Sequence, residues 1–181
     1  QAHVTDNGPG LCIGVIQGNE LVFKNAFGLA NLVHDVPLST SMKMPIASVT
    51  KHMTSVALLV LAEQGKLALD DNVGHYLPEL APSLHTLSLR YLLTHQSGLR
   101  CYLDIAFGDG FAVQPIGHAL STIAQQSSLN FDDGSCQVYS NSGYYLASLV
   151  IERVSGLAFE DFLLVQAGSQ HCHDVITVRM L

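Results

Sequence analysis

Apolar positions fall into two regimes along this chain, first strand-like and then helical. Residues 11–16 and 20–27 are apolar and rich in β-branched and aromatic residues, and the Gly18-Asn19 pair between them predicts a hairpin. Residues 28–40 read as loop or short strand, with Asp35, Pro37 and Ser39-Thr40 as turn material. From Met44 the period changes. Pro45 stands just ahead of a helical stretch, residues 48–64, stopped at Gly65. Val49, Met53, Val56, Ala57, Val60 and Leu61 recur at helical spacing, and Leu58 and Leu59 widen the stripe until it runs nearly all round. Such a helix is expected to be central and buried. Further helices are predicted over residues 71–77, 88–93, 117–127 and 142–154, punctuated by Gly98, Gly108-Asp109-Gly110 and Asp132-Asp133-Gly134. No repeat and no low-complexity linker interrupts this outline of a β-hairpin followed by a helical block.

Composition narrows the partners. The chain has 181 residues, 48% hydrophobic and 13% charged, enough for one domain with a sizeable core. A formal net charge of -7, with the 8 basic residues spread singly, argues against nucleic acid or an anionic membrane surface. The longest apolar run, residues 56–62, is far short of the ~20 residues a membrane span needs. No signal peptide is visible, and a start at Gln1 reads as a mature or excised form. Cys12, Cys101, Cys136 and Cys172 lie far apart without a CxxC pair, which favours free thiols over structural zinc. His171-Cys172-His173 has a metal-like look but lacks a second cluster to pair with, so neither metal nor cofactor is expected.

Two polar clusters stand out of the apolar background. In Ser48-Val49-Thr50-Lys51 the serine and lysine are three apart and share one helical face. A serine hydroxyl becomes a nucleophile when a nearby base takes its proton, and a desolvated lysine can serve. In Tyr139-Ser140-Asn141 the phenol is a second proton-transfer group and the amide can hold a substrate carbonyl. Tyr139 and Asn141 alternate with Ser140, so an extended backbone sends both toward one side. The bland alternative makes Ser48 a helix N-cap and Lys51 a surface residue.

The run Pro45-Ile46-Ala47-Ser48-Val49-Thr50-Lys51, followed by His52-Met53-Thr54, resembles the active-site segment of the penicillin-recognising serine hydrolases. That superfamily holds class C β-lactamases, D-alanyl-D-alanine carboxypeptidases, D-aminopeptidases and related esterases. Gly28-Leu29-Ala30-Asn31, Gln64-Gly65-Lys66-Leu67-Ala68-Leu69-Asp70-Asp71, Tyr91-Leu92-Leu93-Thr94-His95-Gln96-Ser97-Gly98-Leu99 and Tyr139-Ser140-Asn141-Ser142-Gly143-Tyr144-Tyr145 extend the likeness over about residues 10–163. Several ordered signatures in one register are more specific than any single one. The resemblance implies Ser48 as nucleophile forming an acyl-enzyme, Lys51 as the base accepting its proton, Tyr139 as the shuttle to the leaving group and Asn141 as the group orienting the substrate amide. Which of Lys51 and Tyr139 is the acylation base stays open in the sequence. The Ser48 N–H would supply half of an oxyanion hole. His95 is read as structural, because the Ser and Gly of its loop make turns and proton transfer already has candidates.

The resemblance also implies a fold: α+β, β-lactamase/transpeptidase-like, with the N-terminal hairpin belonging to an antiparallel sheet beside an all-helical subdomain. It divides the chain into residues 1–43 for the hairpin and connecting loop, 44–163 for the helical subdomain, and an atypical tail at 164–181. The family's third motif, Lys or His then Thr or Ser then Gly, does not occur after Asn141, so the later sheet strands are expected to be missing. Two functions follow. One is a serine acyl hydrolase acting at Ser48 on a β-lactam, a D-amino-acid peptide or a small ester. The other is a truncated, inactive remnant serving as a binding or assembly module, through self-association or with a complementing C-terminal segment. The family expectation for location is periplasmic or secreted.

Overall fold

The computed structural model describes residues 5–107 and 118–168. Gly108-Asp109-Gly110, Gly117, Cys172 and the His171-Cys172-His173 cluster lie outside them, as does the predicted tail from residue 169 onward. The chain divides into two compact units, with the boundary between Pro45 and Ile46.

In the first unit, β1 (Leu11–Gln17) and β2 (Glu20–Phe27) form the expected antiparallel hairpin, pairing Leu11 with Phe27 and Gln17 with Glu20. Gly18 and Asn19 both take left-handed φ values, 58° and 68°, the backbone that a two-residue primed turn requires. A bulge between Val15 and Ile16 shifts the register. Both faces of this ladder are open: Leu11, Ile13, Val15, Phe23 and Phe27, which share one face by register, are each 39–45% exposed, and on the other face only Ala26 is as much as half-buried. A second small ladder pairs β3 (Leu29–Asn31) with β4 (Val36–Pro37). Between them the Asn31 side chain accepts the Val33 and His34 N–H groups, closing the turn.

The second unit is helical: α1 (Thr50–Glu63), α2 (Val73–Tyr76), α3 (Leu89–Leu93), α4 (Tyr102–Phe107), α5 (His118–Ala124), α6 (Asn141–Ser155) and α7 (Phe159–Gly168). Its core is leucine-rich, with Leu58, Leu61, Leu77, Leu84, Leu89, Leu92 and Leu146 fully buried. The expectation for α1 needs correction. It buries only Thr54, Ala57, Leu58 and Leu61, while Val56 and Leu59 on its other side are 58% and 48% exposed. The central helix is α6, which packs against α1, α2, α3, α5 and α7. Its small residues decide this. Gly143 lets the helix approach α3 so closely that a Cβ there would lie 2.8 Å from the Leu92 carbonyl oxygen. All-round apolarity in α1 measures hydrophobicity, whereas centrality needs small residues where backbones cross.

Several helices are shorter than predicted or were not expected. The stretch 71–77 keeps one turn, Val73–Tyr76, and residues 88–93 form a helix from Leu89, capped by the Ser88 hydroxyl on Tyr91 N–H. The helices α4 and α7 carry acidic residues in their first turns, Asp104 and Glu160-Asp161, and both receive a cap from α6. Ser142 Oγ accepts the Tyr102 N–H at 2.9 Å, and Glu152 Oε1 accepts the Phe159 N–H at 2.9 Å. The α7 helix runs on through Leu163 to Gly168, so the first residues of the predicted tail are helical. Among the described residues no helix is long and apolar enough to cross a membrane, and no group of three His, Cys, Asp or Glu could hold a metal ion.

Candidate active site

Ser48 lies in a tight 3-10 turn, Ala47–Val49, that leads into α1. Ala47, immediately before it, takes a left-handed φ of 45°, a conformation disfavoured for any residue with a Cβ and kept where the surroundings impose it. No side chain caps either the turn or α1, so the N-cap reading of Ser48 fails. Its hydroxyl is otherwise engaged: Ser48 Oγ lies 2.6 Å from Tyr139 Oη and accepts from Lys51 Nζ at 3.2 Å. Lys51 is the second residue of α1, one turn on from Ser48, as its spacing predicts.

The other half of the cluster comes from the start of α6. Ser140 is the N-cap, its hydroxyl accepting the Ser142 N–H, so Tyr139 stands just ahead of the helix and Asn141 is its first residue. The extended backbone at Ser140 (φ -143°, ψ 133°) sends Tyr139 and Asn141 to the same side. Asn141 Oδ1 accepts from Lys51 Nζ at 2.8 Å. All four predicted site residues are therefore joined, although some ninety residues separate the two pairs.

Three further side chains complete the arrangement. Asn141 Nδ2 donates to the buried Cys101 Sγ at 3.4 Å, which fixes which way the amide faces. Lys51 Nζ lies over the Tyr139 and Tyr144 rings, 4.8 and 5.5 Å from their centroids, within cation–π range. Tyr144 is itself anchored, its hydroxyl donating to the Leu93 carbonyl at 2.8 Å. His95 lies against both rings, at 4.6 Å from Tyr139 and 5.2 Å from Tyr144. Tyr144 falls inside the longer signature that runs from Tyr139 to Tyr145 and could have been singled out there as the residue one turn from Asn141. Cys101 gave no sequence signal, because its partner is forty residues away.

Electrostatics favour ionisation of the phenol. Burial pushes the Tyr139 hydroxyl up, but contacts with Lys51 and Ser48 and the lysine charge outweigh it and hold Tyr139 below the ordinary phenol range. His95 is held below the ordinary imidazole range, by burial first and then by Lys51. Ser48 and Tyr139 are both solvent-exposed, so the group is open to an incoming ligand.

Comparison with known proteins gives the same lineage. The Beta-lactamase family matches residues 2–164. Penicillin-binding protein 4* of Bacillus subtilis (strain 168) is 28% identical over 150 residues, covering 81% of this chain and 33% of that protein. The D-aminopeptidase of Cereibacter sphaeroides is 34% identical over 158 residues, covering 85% of this chain and 30% of the relative. The crystal structure of a class C beta-lactamase in complex with cefoxitin superposes with a TM-score of 0.71 at 25% identity, over 91% of this chain and 46% of that one. The chain thus spans about a third of the length of these curated relatives. Its fold is the α+β, β-lactamase/transpeptidase-like one, and the chain belongs to the Beta-lactamase family.

Proposed function

We propose that this chain is a serine acyl hydrolase that forms an acyl-enzyme at Ser48 on amide or ester substrates, with β-lactams, D-amino-acid peptides and small esters as the substrate classes. The observation that carries this reading is the 2.6 Å contact between Ser48 Oγ and Tyr139 Oη beside the Lys51 ammonium. Lys51 donates to both Ser48 Oγ and Asn141 Oδ1. Against the pull of burial, the same lysine, with Ser48, holds the Tyr139 phenol below its ordinary range, which favours the phenolate as the proton acceptor. Tyr139 is then the base.

In the acylation step Ser48 Oγ bonds to the substrate carbonyl carbon as its proton passes to the Tyr139 phenolate. The carbonyl electrons move to oxygen, toward the Ser48 N–H. Collapse of that intermediate breaks the bond to the leaving group, which takes the proton back from Tyr139. Water then attacks the ester by the reverse proton route, releasing the acid and restoring Ser48. Asn141, oriented by Cys101, offers its amide to the substrate.

The test is acylation of the 181-residue chain by a fluorophosphonate probe, read as intact mass, with p-nitrophenyl acetate, D-alanyl-p-nitroanilide and nitrocefin as turnover substrates. One label per chain is expected, absent in Ser48→Ala. An unlabelled wild type sinks the reading. A second reading, an assembly module, is favoured by the hairpin exposed on both faces. On it the chain associates with a second copy or a complementing segment through that ladder.

A further inference from the structure

We propose that His95 is the positioning residue for Tyr139, clasping the chain on either side of it and laying its ring against the phenol. The inference rests on Tyr139 being the base at Ser48. The Val138 N–H donates to the His95 carbonyl at 3.0 Å, and the Ser140 N–H donates to His95 Nδ1 at 3.3 Å. One residue thereby holds both neighbours of Tyr139, and its ring lies 4.6 Å from the phenol at an interplanar angle of 35°.

The clasp is built rather than incidental. His95 takes a left-handed φ of 60°, disfavoured for a residue with a Cβ and therefore imposed by its setting. Neighbouring bonds hold the same two segments together: Gln137 Nε2 donates to the Thr94 carbonyl at 3.0 Å, and the Gly134 N–H donates to the Gln96 carbonyl at 2.8 Å. Tyr144 backs the imidazole from α6.

Accepting the Ser140 N–H requires an unprotonated Nδ1, which assigns the ring proton to Nε2. The groups facing the ring are Lys51 from α1, Tyr139 from the loop and Tyr144 from α6. Protonation would set a new Nδ1–H against the Ser140 N–H and a second cation near Lys51. Burial and the Lys51 charge oppose that step and keep the imidazole below its ordinary 6.5. As pH falls, the unfolded chain takes up this proton before the folded one does. The clasp's contribution is therefore complete above about pH 6.5 and is lost as pH falls through the lower folded midpoint.

The experiment uses the full chain with 13Cζ-labelled tyrosine and 15N-labelled histidine, alongside the pH dependence of Ser48 acylation by the fluorophosphonate probe. His95→Asn keeps a residue at ease in the left-handed region and removes the ring; His95→Phe keeps a ring and removes the acceptor. In the wild type the Tyr139 resonance should shift as His95 is protonated. In both variants the Tyr139 midpoint should rise toward the ordinary 10.0. Acylation should fall about 10- to 100-fold, the scale expected of a displaced catalytic group, with KM for p-nitrophenyl acetate unchanged. Unchanged Tyr139 titration and acylation in both variants would overturn the clasp while leaving Ser48 chemistry standing. A wild type that is never acylated defeats the functional reading instead, and the clasp is then judged by the resonances alone. A Tyr139 signal indifferent to His95 protonation overturns it there, and also where neither variant folds.

Discussion

At the residue scale, the four positions that carry the proposed chemistry were legible because each pair is local in sequence. Ser48 and Lys51 are one helical turn apart, and Tyr139 and Asn141 alternate in an extended segment, so simple periodicity orients each pair. The residues that tune them were not, because His95 and Cys101 meet their partners only through packing. Two outcomes follow from the tuning. If Tyr139 is the proposed base, its midpoint lies below 10.0, so acylation should climb with pH and level off before that value. Tyr139→Phe should remove the climb and lower the rate by about 10²–10⁴-fold in stopped-flow acylation, the usual worth of a general base. Cys101→Ala removes the acceptor that faces Asn141 Nδ2. Measured on D-alanyl-p-nitroanilide, KM should rise roughly 2- to 10-fold, the equivalent of one hydrogen bond, with the melting temperature little changed. An unchanged KM would mean that Lys51 alone orients the amide.

At the element scale, the hairpin was readable from its two apolar runs and the Gly18-Asn19 turn, and α6 from its periodicity and Ser140 cap. The helices α4 and α7 were missed despite the acidic first turns at Asp104 and Glu160-Asp161, because their first N–H groups are satisfied by Ser142 and Glu152 of α6. A helix begun by a distant side chain leaves no cap in its own sequence. The misplaced centrality of α1 has a related cause, since Gly143 marks a crossing only once Leu92 is known to lie opposite. Gly143→Ala should therefore be costly despite the helix-favouring side chain. The added Cβ meets the Leu92 backbone, at 2.8 Å from its oxygen and 3.2 Å from its Cα, which cannot rotate away. Urea unfolding should register about 1–3 kcal/mol, the usual cost of overpacking. A neutral result would show that α3 shifts freely. Ser140→Ala should cost about 0.5–2 kcal/mol through the lost cap.

At the scale of the whole molecule, the helical unit is closed around its leucine core while the hairpin is open. A two-stranded ribbon with apolar residues on both faces is marginal in water and invites pairing. Light scattering after size exclusion should show mass increasing with concentration, and Ile13→Lys with Phe23→Lys, on one face by register, should reduce it. A strictly monomeric wild type would remove association with a second copy and leave a complementing segment as the form of the assembly reading. The His95 clasp has a consequence at this scale too, in amide hydrogen exchange. The Val138 and Ser140 amides both end on one residue, so they should be released in a single event. Their shared exchange rate then reports how often the loop carrying Tyr139 comes loose, without any substrate present. Leu146 and Ile151, deep in α6, exchange only when that helix itself opens. The logarithm of the ratio of the two rates, with intrinsic exchange divided out, gives the free energy by which the site comes apart more readily than the helix behind it.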